Sequence, residues 1–207
     1  NPALYLSMRD QFVPSLSYSF TYQSRSWRTN PWWVQLAFKE AGNITSAIYA
    51  AAGQKFNKKN KELFGNPFAQ YVKFTAEAHK LFKLTKDINI ATRVFGGIIY
   101  SYGNSNSAPY VDQFYVGGAN SVRAFTVRSL GPGSYRPVNS KYSYMDQTGD
   151  VKLEANAELR ARLIGDLHGA IFLDAGNVWT LRNDPMRPGS QITTSTIKHI
   201  ALGTGAG

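Results

Sequence analysis

Between Val151 and Leu163 the chain alternates without a break. Val151, Leu153, Ala155, Ala157, Leu159, Ala161 and Leu163 share one parity, and Lys152, Glu154, Asn156, Glu158, Arg160 and Arg162 share the other. Successive side chains of a strand point to opposite faces, so this segment reads as one long strand with an apolar face and a nearly all-charged face. Strands of soluble domains usually stop at about five or six residues. One about twice that length needs long partners, and the chain supplies them.

Phe12, Leu16, Tyr18, Phe20 and Tyr22 oppose Ser15, Ser17, Ser19 and Thr21. Trp32, Val34, Leu36 and Phe38 oppose Gln35, Ala37 and Lys39, while Phe68, Val72, Phe74, Ala76 and Ala78 oppose Lys73, Thr75, Glu77 and His79. Ile88 to Tyr102 is a strand of weaker contrast, Leu167 to Trp179 follows the charged strand, and a last strand begins near Thr196. This gives about seven strands in an antiparallel all-β arrangement. The connections sort by length. Arg25 to Asn30, Leu84 to Asp87 and Ile164 to Asp166 are short, whereas Asn43 to Asn66, Gly103 to Gly149 and Thr180 to Ser195 are long, and the two kinds alternate. Outer-membrane barrels have tight periplasmic turns, long extracellular loops and strands that are apolar outside and polar inside. The fold expected is therefore an antiparallel transmembrane β-barrel, of which these strands form a part, since such barrels start at about eight strands. Within the first long loop, Ile44, Ile48, Ala51 and Ala52 have helical spacing, with Asn43 as N-cap and Gly53 as stop. No linker divides the chain, and its start at Asn1 without a leader segment reads as a mature or excised piece.

Composition removes other classes. The chain has no cysteine, which excludes a disulfide scaffold, a thiolate metal site and a thiol nucleophile. No apolar run reaches the roughly 18 residues of a spanning helix. Lys and Arg number 23 against 13 Asp and Glu, a net charge of +10. The basic residues are scattered, with Lys55, Lys58, Lys59 and Lys61 as the one cluster, a distribution that argues against nucleic acid, and contact of the loops with anionic lipid headgroups explains the charge equally cheaply. Trp27, Trp32 and Trp33 bracket a short turn, where an aromatic girdle would meet the membrane edge. His168 and Asp174 lie roughly 20 Å apart along one strand and cannot share a metal. His79, His168 and His199 read as wall residues, no metal or cofactor is expected, and the terminal Gly203-Thr204-Gly205-Ala206-Gly207 lacks the βαβ context of a dinucleotide site.

A hairpin turning at Gly165 to Leu167, centred on Asp166, would set Glu158 opposite Asp174. Like charges directly opposed destabilise a sheet, so a cation should cap them. Arg160 or Arg162 is a local candidate. The long connection offers another, in Phe114-Tyr115-Val116-Gly117-Gly118-Ala119-Asn120-Ser121-Val122-Arg123-Ala124-Phe125 and the later Gly131-Pro132-Gly133. Its apolar density suggests an ordered loop, and Arg123 folded into a lumen would suit bidentate contact with a carboxylate.

The stretch Gly117 to Phe125 resembles the lumen-inserted sixth-loop signature of the BamA/TamA family of outer-membrane assembly proteins. Glu154 to Arg160 and Phe172 to Trp179 resemble the two strands that follow it. The resemblance implies that Gly117, Gly118, Val122, Arg123, Ala124 and Phe125 form a lumen-inserted motif within a loop of about residues 104–149, with Glu158 and Asp174 as acceptors of Arg123. Ala124 stands where the motif usually has Gly, which argues against a left-handed backbone there and suggests a TamA-like variant. It further implies part of a barrel of about sixteen strands, residues 1–207, without POTRA repeats or the first and last strands of the family's lateral gate. The implied activity is non-enzymatic insertion of outer-membrane proteins in the bacterial outer membrane. Partners would be client proteins, membrane lipids and lipopolysaccharide, and periplasmic or lipoprotein accessory subunits, but no nucleic acid. A two-partner secretion translocator and a diffusion porin are the rival readings.

Overall fold

The computed structural model describes residues 10–25, 29–137 and 147–207. Seven long strands form one antiparallel sheet: β1 (Ser15–Gln23), β2 (Trp32–Ala41), β5 (Tyr71–Lys83), β6 (Ile88–Ser101), β7 (Val151–Ile164), β8 (Leu167–Trp179) and β9 (Ala201–Ala206). They lie side by side in chain order, each antiparallel to the next. The first long loop holds helix α1 (Asn43–Ala51) and a small ribbon of β3 (Glu62–Leu63) and β4 (Asn66–Pro67), which the alternation did not foreshadow.

Register carries each parity across the whole sheet. One face presents Tyr18, Phe38, Phe74, Ile98 and Val151 in line, and further along Leu36, Ala76, Gly96 and Leu153. The other presents Gln35, Glu77, Phe95, Glu154 and Gly176. Burial is inverted relative to a soluble protein. Tyr18 is 68% exposed, Val94 59% and Leu173 54%, whereas Glu154 and Asp174 are buried. The described residues between Tyr102 and Asp150 supply what covers the polar face. Ala108, Phe114, Val116, Val122 and Leu130 from this connection pack with Ala41, Tyr71, Ile99 and Val178 of the strands into one apolar cluster. A sheet that buries its polar face and exposes its apolar face is stable only where the outer solvent is hydrocarbon.

Several expectations are corrected in detail. The β7–β8 hairpin turns one residue earlier than the sequence suggested, because Gly165 takes the left-handed φ of 58° and a bulge between Arg162 and Ile164 absorbs the odd residue. Asp174 therefore pairs with Asn156, and Glu158 with Phe172. Gly42, not Asn43, is the helix N-cap, at φ 71° with no side-chain cap. The carboxylate of Glu40 instead accepts the Asn43 N–H. The last strand starts at Ala201 after a single 3-10 turn at Thr196–Lys198, so His199 is not a wall residue. Phe12 and Phe68 precede their strands and share an isolated bridge. Trp32 faces outward, but Trp33 faces the lumen edge-on to His79, and Trp27 lies outside the described residues. Lys61 is not part of an exposed basic cluster. Its ammonium donates to Ser46 Oγ at 2.7 Å and to the Phe56 carbonyl at 2.6 Å, and burial pushes its pKa down.

The outward face makes a sharp prediction. In the full-length protein reconstituted in lipid vesicles, Val94→Arg should cost up to about 2–4 kcal/mol by denaturant unfolding, the penalty for a cation facing hydrocarbon. A neutral effect, as at an exposed position in water, would contradict this orientation of the sheet.

Candidate functional site

Gly117 and Gly118 open the motif with backbone that only glycine adopts easily, at φ 105° and 97°. A Cβ on Gly117 would sit 2.0 Å from the Thr126 carbonyl oxygen, so the turn closes on itself at that point. Gly118 N–H donates to Phe125 O at 2.8 Å and Arg128 N–H to Val116 O at 3.0 Å, tying the two ends of the motif together. Gly117 N–H donates to Ser121 Oγ, and that hydroxyl donates in turn to the buried carboxylate of Glu154. Ala124 is not among the residues with positive φ, which accounts for a methyl where the motif usually has Gly. Its methyl lies against Gly203 of β9, where an added Cβ would come within 2.8 Å of it.

This folding delivers Arg123 to the two carboxylates. Asp174 takes four donors: the Arg123 backbone N–H at 3.0 Å, Nε at 2.9 Å, Nη2 at 2.9 Å, and Asn156 Nδ2 at 2.8 Å. Arg123 Nη1 donates to Glu158 Oε2. The guanidinium also lies 3.8 Å over the Phe172 ring, which occupies the space left by Gly205 of β9. The bond to Asp174 leads the influences that raise the pKa of Arg123 against its desolvation, so the site holds a permanent cation. Arg160 is a second donor to Glu158, at 2.6 Å, whereas Arg162 turns to the Gly165 carbonyl. Glu158 and Asp174 are thus diagonal neighbours on one face, bridged by Arg123 rather than directly opposed.

Sequence reasoning missed two further anchors of the same connection. Arg93 on β6 joins Glu77, Glu154 and Asn156, donating to the last two at 3.0 and 3.1 Å, and Asn156 Nδ2 holds the Ser121 carbonyl at 2.8 Å. Asp112, from the loop, accepts Lys39 Nζ at 2.8 Å and Tyr71 OH at 2.6 Å, while its own carbonyl accepts Lys73 Nζ at 2.7 Å. Burial pushes the Asp112 carboxyl up, but the bonds from Lys39 and Tyr71 and the nearby ammonium groups together hold it below the usual range. The inward parity of Lys39, Lys73 and Glu77 was legible, but that of Arg93, in a strand of weaker contrast, and the loop residues these side chains meet were not. No cluster of acidic, histidine or cysteine side chains among the described residues could hold a metal ion.

The Omp85 superfamily domain matches residues 8–207. The chain belongs to the Omp85 superfamily. It is 32% identical over 115 residues to the outer membrane protein assembly factor BamA of Neisseria meningitidis, a match covering 53% of this chain and 14% of that protein. It is 33% identical over 129 residues to sorting and assembly machinery component 50 homolog A of Xenopus laevis, covering 60% of this chain and 27% of that one. The crystal structure of Haemophilus ducreyi BamA lacking POTRA domains 1-3 superposes with a TM-score of 0.62 at 18% identity, over 93% of this chain and 35% of that structure. The chain therefore spans well under half the length of each of these relatives. The last likeness concerns fold, and it identifies the seven-stranded sheet as barrel wall. Omp85 membership places the protein in the outer membrane, as the alternating strands implied.

The geometry ranks substitutions. Arg123→Ala leaves two neighbouring carboxylates without the cation that bridges them and should cost about 3–5 kcal/mol. Arg123→Lys should recover little, because a point charge cannot span both acids as the planar fork does. Asp174→Asn should exceed Glu158→Gln, since Asp174 is fully buried and Glu158 keeps some solvent contact. Denaturant unfolding of the four full-length variants in vesicles checks the order, and a larger loss at Glu158 would contradict it.

Proposed function

We propose that this chain is part of a barrel that inserts and folds outer-membrane proteins, offering strand edge and adjacent bilayer to a client rather than making or breaking bonds. The observation that carries this reading is the long connection locked across the inner face by Arg123. A loop held by three donors of one arginine on one buried carboxylate occupies the interior that a diffusion porin would keep open. Both sequence relatives carry assembly in their names. On this reading the partners are unfolded client proteins, outer-membrane lipids including lipopolysaccharide, and accessory periplasmic or lipoprotein subunits. The +10 charge then serves lumen networks and headgroup contacts, not nucleic acid.

The reading fixes sidedness: the connections holding Asn57 and Asn183 face the exterior, and the turns holding Asp87 and Asp166 face the periplasm. Single cysteines at Asn57 and Asp166 of the full-length protein, probed on intact cells with an impermeant maleimide, should label at 57 and not at 166. The opposite pattern would overturn the topology. Proteoliposomes of the full-length protein should speed the folding of a small outer-membrane barrel, and Arg123→Ala should remove most of that gain. Steady large-conductance channels with no effect on client folding would favour a porin instead.

A further inference from the structure

Register makes the outward face of the strands mostly apolar, with Glu40, Lys80, Thr92, Asn177 and Thr204 as polar members of that parity. Among the described residues, Lys80 is the one basic side chain whose parity puts it on that face. It stands directly opposite Trp32 on β2, with its ammonium 4.1 Å from the Trp32 ring centroid and 5.1 Å from that of Phe82. It has no carboxylate within ion-pair distance among the described residues, unlike Lys39 and Lys152 on the inner face. Both rings are themselves partly exposed on the apolar side. A cation on a hydrocarbon-facing wall is retained only where its charge is met, and no anion among the described residues meets this one.

Its height says what does. Lys80 precedes the end of β5 at Lys83 by three residues, about 10 Å of strand, which tilt reduces to about 8 Å of depth. That is the interfacial zone beside the short turn Leu84 to Asp87, where aromatic and basic side chains meet lipid phosphates. Farther from that turn, the outward residues on β5 are Ala78 and Ala76, with Gly96 beside Ala76 on β6, so a shallow furrow of small side chains leads from the ammonium into the apolar band.

We infer that Lys80, Trp32 and Phe82 bind the phosphate of a glycerophospholipid, with one acyl chain laid along Ala78, Ala76 and Gly96. The ammonium contributes the charge-assisted hydrogen bond, and the two rings fix its direction. The inference rests on the membrane orientation of the proposed function, which puts this rim in the leaflet of the short turns. A phosphate of lipopolysaccharide would be expected at the opposite rim, beside the long loops.

Native mass spectrometry of the full-length protein, released from nanodiscs containing phosphatidylethanolamine and phosphatidylglycerol, tests it. The wild type should retain a bound phospholipid. Lys80→Met, which keeps the side-chain length and suits a lipid-facing position, should lower its occupancy about tenfold, the loss expected for one charged hydrogen bond. Lys80→Arg should retain it. Equal retention by Lys80→Met and wild type would overturn the site, as would displacement of the lipid by excess inorganic phosphate, which would mark a free-phosphate site. Client folding measured on the same preparations separates the two claims. Equal retention in an active protein removes the lipid site and leaves the assembly reading standing, whereas loss of lipid in a protein inactive even as wild type removes only the latter.

Discussion

Asp174 sits on the inner wall with no solvent contact, and its four donors come from only two residues, Arg123 and Asn156. Three of the four belong to Arg123, one from its backbone and two from its side chain. The carboxylate thus fixes the position of the loop main chain and the direction of the guanidinium together. The remaining Nη1 reaches Glu158 on the neighbouring strand, so one loop residue bridges β7 and β8. Burying charges gives little net stability over a well-packed apolar contact, but leaving one partner alone is costly. The consequence is specificity. An apolar loop would slide over the wall in many positions, whereas a planar fork facing two diagonal carboxylates docks in one.

The rest of the molecule follows from that docking. The sheet turns its apolar side chains outward, so its inner face has no apolar core of its own. The long connection supplies one through Phe114, Val116 and Val122, and it is held at intervals across the wall. Asp112 grips β2 and β5, Arg93 with Glu154 and Asn156 grips the Ser121 turn from β6 and β7, and Arg123 grips β7 and β8. Gly203 and Gly205 of β9 then make room for Ala124 and Phe172. The charged residues that look misplaced in so apolar a sheet are the attachment points of its core.

Much of this was legible in the alternation. Seven strands and their faces follow from period-two patterning, because a strand's side-chain period leaves no freedom once one face must meet hydrocarbon, and the alternation of short and long loops was a second, independent sign. The motif residues Gly117 to Phe125 and the acids Glu158 and Asp174 were also legible. Their exact pairing was not, because one bulge before Gly165 moves the register and the sequence carries no sign of it. Asp112 and Arg93 were out of reach for a different reason. Inward parity identifies wall charges, but which loop atom meets them depends on non-local folding of the connection. Lys61 shows the same limit, since a lysine in a basic run is buried by the fold of its own loop.

The account stands on the coupling between Arg123 and Asp174. A double-mutant cycle of Arg123→Ala and Asp174→Ala, measured by reversible unfolding of the full-length protein in lipid vesicles, tests it directly. A coupling energy of at least about 1.5 kcal/mol, the range of close charge pairs, is the predicted result. Additive losses, with no coupling beyond about 0.5 kcal/mol, would show that the loop is held by other means and would contradict the account.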